Sequence, residues 1–247
     1  MSEIFGIDVS RYQGEINWQK VKAAGVRFAM IRVGWAGWEG DISVDANFKK
    51  NVEGAIAAGV NAGVYVFAYC KTVGAAVIAA RQTLALIRPY KITYPVAFDM
   101  ETEAETPYQN YTRAQNSAIA GAFLAEIANA KYCAVVYSYK AFLESLLDMN
   151  ALKAYDVWVA QTGSRCTYTG AYSMWQYSWV GKIDGISVAC DLDYAYKDYA
   201  ANNCGSGSGE TPESGSTAAL SAENAKLKTE LSAATGKLED IRGIVSV

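Results

Sequence analysis

The chain of 247 residues contains no histidine. Ser-His-Asp and Cys-His catalysis both need an imidazole to shuttle protons, so both are excluded. Zinc sites of the His-Glu-x-x-His kind are excluded with them. Proton transfer near neutral pH must fall to carboxylates, Tyr, Lys or Cys with displaced pKa values. The sequence also lacks a basic run, and its 22 Lys and Arg against 25 Asp and Glu leave a net charge of −3. Nucleic acid is therefore not an expected partner. No apolar stretch reaches the roughly 18 residues that a helical membrane span needs. The opening MSEIFGIDVS has no basic segment followed by an apolar core. No secretory signal is read there, and synthesis in the cytoplasm is expected. The five cysteines include no C-x-x-C pair. Cys70, Cys133 and Cys190 sit in apolar runs and read as reduced core thiols, while Cys166 and Cys204 lie in polar segments. A disulfide framework is not expected.

What is present points to a folded α/β domain. Apolar residues make up 51% and charged residues 19%, a globular balance rather than a disordered one. Short apolar runs at 4–9, 28–33, 61–68, 94–99, 134–138, 157–160, 174–177 and 188–192 read as strands. Helical patterns at 18–24, 45–58, 73–87, 113–130 and 140–147 lie between them. Asn17 can cap the first helix, and Gly25 and Gly59 supply the left-handed residue that ends a helix. The stretch GVYVFAY (63–69) is apolar almost throughout, as expected for a strand covered on both faces. Strand–helix alternation predicts parallel βαβ units, and eight strands in about 200 residues predict a closed, TIM-like β/α barrel over residues 1–199. The last three strands lack intervening helices, so the barrel is expected to be irregular on that side.

After the barrel the composition changes. Residues 200–216, including NNCGSGSGETPESGS, read as a Gly/Ser-rich linker. In 217–247, Leu220, Asn224, Leu227, Leu231, Ala234, Leu238, Ile241 and Val245 alternate at spacings of four and three. That is an a/d seam, with Asn224 at a position where a polar residue sets register. The alternatives are one amphipathic helix docked on the barrel and a coiled coil that makes a homo-oligomer. The linker, and the marginal stability of so short a helix alone, favour the second.

In a parallel barrel, ligand sites form at the C-terminal ends of strands, so polar residues closing apolar runs are the informative ones. Asp8 closes the first run, and Asp99-Met100-Glu101 the fourth. Trp175-Gln176-Tyr177 lies in the seventh and Asp191-Leu192-Asp193 in the eighth. Residues two apart on a strand face the same way, so Asp99 and Glu101 are expected to point together. Carboxylates gathered at one mouth repel, and with burial this raises at least one pKa. A protonated carboxyl beside ionised ones is the equipment for glycoside cleavage. A lone Asp at a strand end is more often a cap or turn residue, and a carboxylate cluster can also hold a cation. No glycine-bearing calcium loop accompanies this one, and no metal or cofactor is expected. Tyr65, Phe67, Tyr137 and Trp175 are candidates for stacking on sugar faces, with core packing as the alternative, and Gln176 is a candidate polar contact.

These segments resemble a known family. GIDVSRYQGEINWQKVK (6–22), FAMIRVGWAG (28–37), DANFKKNVEGAIAAGVNAGVYVF (45–67), PVAFDMETE (95–103) and MWQYSWVGKIDGISVACDLDY (174–194) are similar, in order, to glycoside hydrolase family 25, the Chalaropsis-type lysozymes. The resemblance implies an irregular barrel of about five β/α units followed by helix-poor strands. It implies hydrolysis of the β-1,4 bond between N-acetylmuramic acid and N-acetylglucosamine, with bacterial peptidoglycan as partner. Many members are phage endolysins or autolysins, and this chain looks most like an endolysin acting on the wall after release. By matched position, Glu101 is the implied general acid and Asp99 the group that orients the 2-acetamido group or stabilises the transition state. Asp8 and Asp191 complete the ring, and Asp193 stands where the family commonly has Asn. A non-catalytic glycan-binding module on the same barrel is the competing reading. The tail shows no wall-binding repeat.

Overall fold

A computed structural model of the chain describes residues 3–202. The proposed coiled-coil segment at 217–247, and all but the first residues of the linker, lie outside the described residues. Within them the element order is β1 (Ile4–Val9), α1 (Trp18–Ala23), β2 (Phe28–Ala36), β3 (Ile42–Val44), α2 (Phe48–Ala57), β4 (Asn61–Ala68), α3 (Val73–Ile87) and β5 (Ile92–Asp99). There follow α4 (Arg113–Asn129), β6 (Ala134–Tyr139), α5 (Lys140–Ser145), β7 (Asp156–Ala160), β8 (Met174–Gly181) and β9 (Cys190–Ala195). The sheet runs β1-β9-β8-β7-β6-β5-β4-β2-β3, and pairing of β1 with β2 closes it. Eight strands form the barrel, and β3 is a hairpin extension on the end of β2.

Seven barrel strands are parallel, and β9 is antiparallel to both of its neighbours. The irregularity expected on the helix-poor side of the barrel thus includes a reversed strand. The connection between β8 and β9 is too short for a crossover, and a parallel return needs a dozen or more residues. The eighth strand is Cys190–Ala195 rather than 188–192, because the run that pairs with both β1 and β8 begins at Cys190 while Val188 stays exposed.

Two apolar layers hold the barrel. The inner one packs Phe28, Met30, Tyr94, Val135, Trp158 and Met174 inside the strands. Space for it comes from small residues: a Cβ on Gly6 would lie 2.3 Å from the Phe28 ring. Tyr199 closes the N-terminal end of the barrel, its hydroxyl hydrogen-bonded with Asp156 and Ser173. The outer layer lies between strands and helices and includes Val64, Phe98, Phe123 and Leu124. Asn17 caps α1 by accepting from the Lys20 amide.

Helix α2 begins at Phe48, not at the predicted residue 45. Asp45 is withdrawn from the helix because its buried carboxylate accepts from Arg32 and from the Arg11 and Asn47 amides. Cys133 is disulfide-bonded, which corrects the expectation of a reduced core thiol. It precedes β6 at the barrel rim and is only half-buried, so it is not shut inside the apolar layer. Cys70, Cys166 and Cys190 are free. Among the described residues no helix is long and apolar enough to cross a membrane.

Candidate active site

The strand register places the acidic residues. Asp8, near the end of β1, stands opposite Asp191 on β9. Asp99, the last residue of β5, lies between Phe67 on β4 and Tyr137 on β6. Because β9 runs the other way, Asp191 sits near its start and still reaches the C-terminal mouth of the parallel strands. After β5 the backbone is pinned: the Met100 amide donates to the Tyr137 carbonyl at 3.0 Å, and the Ser138 hydroxyl donates to the Met100 carbonyl. Met100 is wholly buried, and Asp99 and Glu101 turn together into the mouth.

There they line a cavity of about 220 Å³ with Asp8, Asp191, Tyr65, Phe67, Tyr137, Trp158 and Gln176. Gln176 organises one wall. Its amide donates to Asp8 at 2.7 Å and toward Asp191 at 3.5 Å, and its carbonyl accepts from Tyr137 and Trp179, each at 2.9 Å. Below this layer the Trp158 indole donates to Asp193 at 2.8 Å.

Burial with little cationic compensation raises every acid here. Asp8 is pushed well above the usual carboxylate range by burial, then by Asp193 and Asp191. Asp99 is pushed well up by burial and by the Glu101 charge, with Arg32 acting in opposition. Glu101 is raised by burial, while its hydrogen bond with Asp99 pulls the other way. Burial takes Asp191 up to about 6 and Asp193 up to about 8. Asp193 therefore holds a proton near neutral pH, and within Asp99–Glu101 and within Asp8–Asp193 the two carboxyls titrate as a pair. Glu101, the less buried of its pair, offers its carboxyl to the open side.

A second, wider cleft of about 440 Å³ adjoins the cavity, with Tyr12, Arg32 and Phe67 in both linings. Arg32 forks onto Asp45 with donor distances of 2.8 and 2.6 Å, and its guanidinium lies over the Tyr12 and Trp35 rings. Among the described residues no group of three or more His, Cys, Asp or Glu side chains is placed to hold a metal ion.

Comparison with known proteins decides the family. The profile of the glycosyl hydrolases family 25 matches residues 7–186. The chain belongs to this family. Lysozyme M1 of Streptomyces globisporus is 45% identical over 67 residues, 27% of this chain and 21% of that protein. The autolytic lysozyme of Clostridium acetobutylicum is 26% identical over 189 residues, 76% of this chain and 54% of that protein. Among solved structures, the modular autolysin LytC of Streptococcus pneumoniae, in complex with a synthetic peptidoglycan ligand, superposes with a TM-score of 0.69 at 26% identity. That match covers 78% of this chain and 47% of LytC. The chain thus spans about half or less of the length of these relatives.

Of the sequence-predicted residues, this family 25 barrel gathers Asp8, Asp99, Glu101, Asp191, Tyr65, Phe67, Tyr137 and Gln176 around one cavity. Trp175 does not join them. Strand alternation turns it to the outer face of β8, where its indole donates to the Gln161 carbonyl and its ring packs near Tyr177 and Tyr194. Asp193 faces the barrel interior beneath the cavity and is fully buried. Sequence reasoning missed Arg32, Asp45, Trp158 and Trp179. The signal for Arg32 was available: it is the one charged residue in the otherwise apolar strand FAMIRVGWA.

Proposed function

We propose that the barrel is an N-acetylmuramidase that cleaves the β-1,4 bond following N-acetylmuramic acid in peptidoglycan. The observation that carries this is the Asp99–Glu101 carboxyl pair, raised by burial and set at the open mouth of a family 25 barrel. In this reading Glu101 donates its proton to the leaving glycosidic oxygen. Asp99, deeper and hydrogen-bonded to Glu101, faces the reacting sugar and orients its 2-acetamido group or offsets the charge that develops at the anomeric carbon. Asp8 and Asp191, tied through Gln176, form the opposite wall and fix the sugar's position. Tyr65 and Tyr137 stay neutral phenols, raised by burial and by the nearby acids.

Mass spectrometry of digested peptidoglycan tests the bond assignment. New reducing ends should lie on muramic acid, and reducing glucosamine ends or released peptides would refute it. Glu101→Gln should lower turnover by about 10²–10⁴-fold, the usual contribution of a general acid, with the melting curve retained. The finer reading is a phage endolysin that lyses its host, supported by the family's inclusion of such enzymes. Clearing of intact host cells from within, on induced expression with a pore-forming partner, tests it.

A further inference from the structure

The cleft beside the catalytic cavity has a charge pattern that bare sugars do not require. Its lining follows the barrel order. Arg11 and Tyr12 come from the segment after β1, and Arg32 and Trp35 from β2. Phe67 and Tyr69 come from β4 and its end, and Glu103 and Glu105 from the loop after β5. Cations therefore lie at one end, carboxylates at the other, and an aromatic floor between them.

The cationic end is built rather than loose. The Arg11 and Arg32 guanidinium carbons each lie 5.0–5.9 Å from the centroids of both the Tyr12 and Trp35 rings. Arg32 is neutralised by Asp45, whereas Arg11 has no carboxylate partner among the described residues. The Arg11 side chain donates to the Tyr12 hydroxyl at 3.2 Å and is exposed, leaving most of its five donors open. A stacked, pre-oriented guanidinium with free donors is suited to a carboxylate. A polyanion such as a teichoic acid would meet repulsion at Glu103 and Glu105. A short ampholytic chain, with carboxylates and an amine, matches both ends. In peptidoglycan that chain is the stem peptide carried by muramic acid.

We infer that this cleft is a subsite for the stem peptide of the substrate, with Arg11 binding a peptide carboxylate and Glu103 and Glu105 facing its amine. The inference rests on the muramidase reading above. It makes the enzyme favour strands that still carry peptides over stripped ones.

The test uses uncrosslinked glycan strands with peptides attached, and the same strands after an amidase has removed them. The readout is the ratio of kcat/KM on the two substrates. Arg11→Ala should lower that ratio about tenfold, as expected for one charge-assisted bond open to water, chiefly through KM. Arg11→Lys should recover part of it. Free stem peptide should inhibit turnover of peptide-bearing strands, and inorganic phosphate at equal concentration should not. An unchanged ratio in Arg11→Ala, or inhibition by phosphate alone, overturns the subsite. Wild-type protein that cleaves stripped strands but shows no preference for peptides also overturns it and leaves the muramidase reading standing. Failure of the wild type on both substrates overturns that reading, and the subsite with it.

Discussion

Asp193→Asn should stabilise the barrel in a pH-dependent way, and the size of the effect follows from one proton. Asp193 is wholly buried. Facing it are Asp8 from β1, Asp191 from its own strand, Trp158 from β7, and Gln176 and Tyr137 from β8 and β6. No cation is among them. Burial carries its pKa up to about 8, against about 3.9 for Asp in an unfolded chain. Between those values the native state keeps a proton that the unfolded state releases. Stability is then fully present below pH about 4 and is lost as pH rises toward 8, with a slope of ~1.4 kcal/mol per pH unit.

From pH 5 to pH 7 the wild type should therefore lose ~2.7 kcal/mol that the Asn variant keeps. In Asp193→Asn the amide oxygen still accepts from the Trp158 indole, and the amide nitrogen can donate to Asp8 without any proton uptake. For a domain near 200 residues, each kcal/mol moves Tm by about 2–4 °C. The variant's Tm advantage should accordingly be about 5–10 °C larger at pH 7 than at pH 5. Calorimetric or circular-dichroism melts at the two pH values measure it. An advantage of equal size at both would show that Asp193 holds no proton in the native state.

The same acids govern activity. Glu101 is raised by burial and acts protonated, so kcat/KM should fall as pH rises through the titration of the Asp99–Glu101 pair. A profile flat from about pH 4 to pH 8 would contradict an acid role for this pair. Stability should respond sharply to the ion pair beside the mouth. Arg32→Met leaves the Asp45 carboxylate buried and without its cation, a loss of ~3–5 kcal/mol for a broken buried pair, to be read as a lowered urea midpoint at constant m.

Much of this architecture was legible in the sequence because the strands are covered on both faces. Continuous apolar runs such as Val64–Phe67 need no alternation to be recognised, and glycines at 25 and 59 punctuate them with the positive φ that the structure shows. Direction was not legible. The run around Asp191 reads alike forwards and backwards, and its antiparallel course follows from a short connection and from pairing on two sides, which are properties of the closed sheet. Strand alternation itself argued against placing both Trp175 and Gln176 in the site, since neighbours on a strand face opposite ways. Asp45 read as helical by pattern, yet its partners Arg11 and Arg32 come from other elements, and no local signal encodes them.

The absence of histidine acquires a physical meaning from the site's arrangement. An imidazole supplies a group that titrates near neutrality without help. Here carboxyls are moved up toward that range by burial in pairs, Asp8 with Asp193 and Asp99 with Glu101, and Asp193 is carried to about 8. The antiparallel closing strand is what makes the first pair possible. It sets Asp191 against Asp8 at the mouth and Asp193 against Gly6 one step deeper. A strand entering in the parallel sense would bring its C-terminal end to the mouth, and this acidic start would lie at the opposite rim. Proton-holding capacity at the site is thus a consequence of topology as much as of composition.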